Sequence, residues 1–257
     1  QDGKIRLDIN GKYYDFRVST IPTIHGEKIV IRIYDTSTQK LGLQYLGARK
    51  KQEEQLKKII TKPHGILLVT GPTGSGKSTT LYTFLKELND GTVNITTVED
   101  PVENVVAGVN QVQVNPKANL TFSAALRSIL RQDPNIIMLG EIRDEETAQI
   151  SIRAAITGHL VLATLHTNDA IGSFDRLVDM GVPHYLVADA MIGSIAQRLV
   201  RKLCPRCKKE HVSTPEEMKI LGLKKEEHIH EAKGCEACNY TGYQGRTAVF
   251  EIMEMTE

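Results

Sequence analysis

Residues 71–78 read Gly-Pro-Thr-Gly-Ser-Gly-Lys-Ser, a full match to G-x-x-x-x-G-K-[ST]. The flanking sequence puts this octapeptide where such a loop has to lie. Gly65-Ile66-Leu67-Leu68-Val69-Thr70 is a short apolar run bounded by glycines, the pattern of a buried strand. Residues 78–88 carry apolar side chains at helical spacing and stop at Asn89-Asp90-Gly91. A strand, a glycine loop and a helix in this order make a unit whose loop wraps a polyphosphate. The glycines let successive N–H groups turn inward, and the helix N-terminus adds partial positive charge. Lys77 can reach terminal phosphates, and the Ser78 hydroxyl suits a magnesium ion. The nucleotide-holding set is Gly71, Pro72, Thr73, Gly74, Ser75, Gly76, Lys77, Ser78 and Thr79, and the ligand implied is a nucleoside triphosphate.

Patterning divides the 257 residues into unequal parts. Residues 4–34 alternate polar and apolar, with Asn10-Gly11 as a two-residue hairpin signal, so they read as an antiparallel piece of a small N-terminal domain. Residues 35–47 read as a linker. From 48 onward buried strands at 65–70, 94–99, 135–140 and 160–165 alternate with helices at 49–61, 77–89, 121–132, 144–157, 170–180 and 184–198. That alternation predicts a doubly wound, parallel-rich α/β sheet. The chain opens in strand-rich sequence and stops just after the strand-like 247–252, so targeting or docking segments are expected to lie beyond its ends. A net charge of +1, no Trp and no basic aromatic stripe argue against a nucleic-acid partner. No apolar run is long enough to span a bilayer. Arg49-Lys50-Lys51 and Lys57-Lys58, interleaved with Glu53 and Glu54, read as a solvated helix face.

An open α/β sheet places its ligand at the C-terminal ends of its strands. Three strand ends here carry chemistry: Glu99-Asp100-Pro101-Val102-Glu103, Gly140-Glu141-Ile142-Arg143-Asp144, and His166 closing a strand that His159 opens. Phosphoryl transfer needs a metal ligand, a group that orients water, and cations against developing charge. The carboxylates and the histidine supply the first two. Asp144 precedes Glu145-Glu146 and a helix, which suits an N-cap. Arg127 and Arg131, one helical turn apart, suit solvent-facing positions.

Taken together, Gly71–Ser78, Val98–Glu103, Gly140–Asp144 and Gly158-His159-Leu160 through Leu165-His166-Thr167 resemble the Walker A, Asp box, Walker B and His box of the secretion ATPase superfamily. The resemblance covers essentially the whole chain, including Arg17-Val18-Ser19-Thr20 and His25-Gly26-Glu27. It implies a RecA-like P-loop domain preceded by part of a small α/β, PAS-like N-terminal domain at 1–34. It further implies an ATP-hydrolysing homo-hexameric motor, cytoplasmic and peripheral to the inner membrane through a platform protein of a pilus or secretion system. Carried over to these positions, Glu103 orients the attacking water, Glu141 holds magnesium through water, and His166 senses the terminal phosphate. Arg17 and Arg32 reach the phosphates when the N-terminal domain closes. Gly140 stands where many P-loop enzymes carry an aspartate, which leaves direct metal ligation to Ser78.

All four cysteines fall in two C-x-x-C pairs, Cys204/Cys207 and Cys235/Cys238, separated by a polar stretch at 208–234. This fits a tetrahedral zinc site closing an arm over 204–238. A redox pair needs only one C-x-x-C, and His211, His228 and His230 could substitute as ligands, yet four thiolates already complete the shell. The tetracysteine arm resembles assembly and secretion ATPases more than retraction ATPases. The expected function is therefore type IV pilus assembly or type II protein secretion. The rivals are pilus retraction, a conjugation-type or DNA-handling ATPase, and a scaffold that binds nucleotide without hydrolysing it.

Overall fold

The computed structural model describes residues 2–35 and 41–256. Part of the expected linker, residues 36–40, lies outside the described residues. Strands β1 (Asp2–Ile9), β2 (Lys12–Thr23) and β3 (Gly26–Asp35) form an antiparallel sheet in that order. The β1–β2 turn is Asn10-Gly11, with φ of 56° and 76°, the left-handed pair that a type I′ hairpin turn requires. Register sets Arg17 directly opposite Arg32 on one face of this sheet. On the other face Ile5, Leu7, Ile9, Ile31 and Ile33 are exposed.

The rest of the chain alternates helix and strand as its periodicity predicts. It begins with α1 (Lys50–Ile60), β4 (Gly65–Thr70), α2 (Lys77–Leu88), β5 (Ile95–Glu99) and β6 (Asn110–Gln113). Next come α3 (Phe122–Ile129), β7 (Ile136–Leu139), α4 (Glu145–Ile156), β8 (Leu160–Thr164), α5 (Gly172–Asp179) and α6 (His184–Ala190). The last elements are β9 (Met191–Leu203), β10 (Lys209–Val212), α7 (Pro215–Leu221), β11 (His228–Glu231) and β12 (Tyr243–Glu254).

Among the described residues a seven-stranded sheet runs β12-β9-β4-β8-β7-β5-β6. Six of its strands are parallel, and β12 returns antiparallel beside β9. Because side chains alternate across a strand, β4 feeds two cores at once. Ile66 and Leu68 join α3, α4, α5 and α6 on one face; Leu67 and Val69 join α1 and α2 on the other. Every residue of β4, β5, β7 and β8 is buried. At about 1.5–3 kcal/mol for each large apolar side chain taken out of water, this layer is the main source of stability.

The helix expected over 184–198 is corrected. It ends at Ala190, and Met191 begins β9, which pairs with β4 in parallel. The run 191–196 is almost wholly buried, and a Cβ at Gly193 would lie 2.8 Å from Met253 O of the neighbouring strand. A flat, two-sided apolar run without a polar stripe packs as a central strand, not as a surface helix. The helix expected over 121–132 is shorter than predicted, and β6 was not anticipated.

Candidate nucleotide-binding site and thiolate cluster

The loop of residues 71–76 connects β4 to α2, so its backbone points at the N-terminus of a helix anchored in the core it shares with α1. Close approach explains its first glycine: Gly71 has φ 138°, and a Cβ there would sit 2.3 Å from Gln197 O. The buried Gln197 of β9 also clamps the loop. Its Nε2 donates to Ser75 O at 2.8 Å, and its Oε1 accepts from Thr80 Oγ1 at 2.7 Å. Lys77 Nζ donates to Gly71 O and Pro72 O at 2.7 and 3.2 Å. Burial lowers its pKa, with Glu141 opposing that shift.

Around this loop lies a cleft of about 560 Å³. Every residue of the predicted nucleotide set except Gly71 and Pro72 lines it, together with Glu103, Glu141, His166, Arg17 and Arg32. Glu141 follows β7, and Arg143 Nη2 donates to its Oε1 at 2.5 Å. Arg143 also lies 3.9 Å from Asp100, and His166 Nε2 lies 3.8 Å from Glu141. Burial and then the Lys77 charge lower the pKa of His166, with Glu141 opposing that shift. Glu103 lies on the coil after β5, and Arg17 Nη2 reaches its carboxylate at 3.4 Å. His159, by contrast, sits at the far end of β8, its Nδ1 2.9 Å from Ala154 O. Asp144 caps α4 by accepting from Thr147 N, and Arg127 pairs with Glu146 at 2.8 Å, so neither serves the cleft.

Three contributors were missed at the sequence level: Gln197, Leu199 and Arg246, which reach the loop or cleft from the β9/β12 hairpin. A lone glutamine inside the apolar run 191–199 was the available signal, because a buried amide needs partners. Tyr82 and Glu99 also line the cleft and are hydrogen-bonded to each other.

The four cysteines meet at the end of β9 and after β11. Their Sγ atoms all lie within 4.8 Å of one another, and none is in a disulfide. The Cys204–Cys235, Cys207–Cys238 and Cys235–Cys238 separations are 4.0, 3.8 and 3.8 Å. Four sulfurs at ~2.3 Å from a common tetrahedral centre stand about 3.8 Å apart, so the cluster fits zinc. Burial opposes ionisation of Cys238, but N–H donors from Cys235 and Gly242 outweigh it and bring the thiol to about 6. Burial pushes the Cys207 thiol up to about 11. Two sulfurs so close favour one thiolate and one thiol until a cation compensates them.

The family profile described as Type II/IV secretion system protein matches residues 1–257. The chain is 51% identical over 255 residues to type II secretion system ATPase E of Vibrio cholerae serotype O1, covering 98% of this chain and 51% of that protein. It is 53% identical over 252 residues to type II secretion system protein HxcR of Pseudomonas aeruginosa, covering 98% and 50%. The chain thus spans about half the length of these relatives. Among solved structures, the pilus retraction motor PilT with bound ADP matches all of this chain and 64% of that one, at TM-score 0.71 and 28% identity. The Legionella pneumophila ATPase DotB matches at TM-score 0.69 and 24% identity, a likeness of fold.

Proposed function

Since this chain belongs to the type II/IV secretion system protein family, we propose that it is the ATP-hydrolysing core of a hexameric motor for type II protein secretion. The identity to type II secretion proteins favours that work over pilus assembly. The observation that carries the proposal is convergence. Two carboxylates on separate strand ends, Glu103 and Glu141, face one phosphate-binding loop across a cleft that two cross-strand arginines also line. Like charges placed directly opposite cost stability in a sheet, so Arg17 beside Arg32 is paired for an anion rather than for folding.

In this reading the loop amides and Lys77 hold the terminal phosphates, and Lys77 exchanges its carbonyl partners for phosphate oxygens. Glu103 accepts a hydrogen bond from the attacking water and aims it in line. His166 contacts the terminal phosphate as a hydrogen-bond partner. Arg17 and Arg32 add charge that is complete only when the N-terminal sheet closes on the cleft. Magnesium, held by Ser78 and through water by Glu141, would neutralise charge between the outer phosphates. Residues 1–34 are then part of a closing N-terminal domain, 48–257 the ATPase domain, and 204–238 a zinc-stapled arm. The working assembly is a homo-hexamer on the cytoplasmic face of an inner-membrane platform protein. Among the described residues no helix is long and apolar enough to cross a membrane. Phosphate release by purified rings tests the reading: Glu103→Gln should slow turnover about a hundredfold or more while ATP still binds. Wild-type turnover by that variant would remove Glu103 from its role.

A further inference from the structure

Glu103 presents a physical problem. It sits on coil between β5 and β6, and its side chain is 41% exposed, yet a group that aims water must be held closely. What holds its backbone is Tyr82. This tyrosine lies on α2, five residues after Lys77, and is 2% exposed. Its hydroxyl donates to Glu99 Oε2, which leaves its oxygen free to accept. It accepts from two consecutive backbone amides, Glu103 N at 3.1 Å and Asn104 N at 3.2 Å. Glu99 is itself 3% exposed and accepts from Thr97 Oγ1 at 2.6 Å and Gln111 Nε2 at 3.0 Å.

Stability alone does not call for this arrangement. A buried carboxylate is costly to desolvate, and Tyr82, Thr97 and Gln111, which donate to it, are all neutral. A phenylalanine against an apolar neighbour would fill the same space at lower cost. What the network does supply is geometry. The helix that begins with Lys77 and Ser78 also fixes the peptide that carries Glu103, so phosphate and carboxylate are set by one rigid element. Burial and the bond to Glu99 raise the phenol's pKa well above its ordinary value, so it stays a proton donor across the working range.

We propose that Tyr82, anchored on Glu99, is a positioning residue for hydrolysis: its hydroxyl fixes the backbone of Glu103 and through it the carboxylate that aims the water. The proposal rests on the assignment of Glu103 made above. Tyr82→Phe removes the hydroxyl and keeps the ring. It should lower kcat about tenfold to a hundredfold, the cost of a misaimed group, and leave ATP affinity within about threefold. In a Glu103→Gln background the same change should cost under about threefold, because nothing remains to be aimed. An equal loss in both backgrounds, or wild-type turnover of Tyr82→Phe, overturns the positioning role. If Glu103→Gln itself turns over normally, the underlying assignment fails as well, and the two failures are thereby told apart. Amide exchange on the unaltered protein supplies a test independent of any variant. Slow exchange at Glu103 and Asn104, against neighbouring coil, supports the bond to Tyr82, and exchange at the coil rate refutes it.

Discussion

The seven-stranded sheet and the cysteine arm keep their shape by opposite means. Along β4, β5, β7 and β8 every side chain is buried, so the phosphate loop and the segments that carry Glu103 and Glu141 leave from strands held by apolar packing from both faces. In the arm, α7 has no buried residue, and β10 and β11 form a two-stranded ladder with no buried position. What is buried there is mostly Cys204, Cys238 and Ser213. A segment this polar cannot offset its ordering entropy through its own core. In place of a core, the arm brings four thiols within 4.8 Å of one another, a set able to share one metal ion. The same chain thus sets apolar burial beneath the nucleotide cleft, and a cluster of four thiols where the arm lacks a core.

Substitutions can break or sharpen this contrast. The largest effect is expected at Lys77→Ala, which should lower phosphate release about a thousandfold or more, the scale of one cation at a phosphoryl-transfer site. Zinc content and amide protection of the arm should not change. Next comes Cys207→Ser, which should weaken zinc by about a hundredfold or more and speed exchange at 209–212 and 228–231. ATP affinity should hold within about twofold, since the cluster and the loop share no side-chain partner. Amide exchange and nucleotide titration read the variant; in the unaltered protein, four reactive thiols without metal would refute the zinc assignment.

Gln197→Ala should fall between the regions, because it strips the β9 clamp from the loop. Leaving the buried Ser75 carbonyl and Thr80 hydroxyl without it costs about 1–3 kcal/mol, read as a lower melting temperature and a raised KM for ATP. The smallest effect is Thr214→Ala, which removes the capping box of α7 for about 1 kcal/mol. That loss should show only as faster exchange in the arm. A fall in global melting temperature would mean that the arm and the sheet unfold together.

The sheet region was the more legible of the two in sequence, for reasons visible in particular residues. Residues 71–78 with their flanks specify strand, loop and helix because all three lie in one local stretch. Convergence of strand ends in an open sheet points to Glu141 and to the run 99–103, the family resemblance singles out Glu103 within that run, and both line the cleft. Local patterning could not see β9. Its run 191–198 suits a buried helix as well as a buried strand, and only pairing with β4, more than a hundred residues earlier, decides. The same distance hid Gln197, whose two partners belong to the loop helix and its approach. Tyr82 reads as one apolar position of an amphipathic helix, because nothing nearby announces that its hydroxyl meets the carboxylate at the end of β5.

One consequence of β9 is mechanical. The strand touches the phosphate loop at Gln197 and runs on without interruption to Leu203, next to the first thiol. At ~3.3 Å per residue the six steps from Gln197 to Leu203 make a spoke of about 20 Å, braced by β12 with one register shift near its outer end. A tilt of about 10° about the Gln197 contact would carry Cys204 through roughly 4 Å, by the same rise per residue. One end of the spoke holds Ser75 and Thr80 through Gln197 and the other leads into the arm, so small angular errors at the loop become displacements as wide as a side chain at the cysteine cluster.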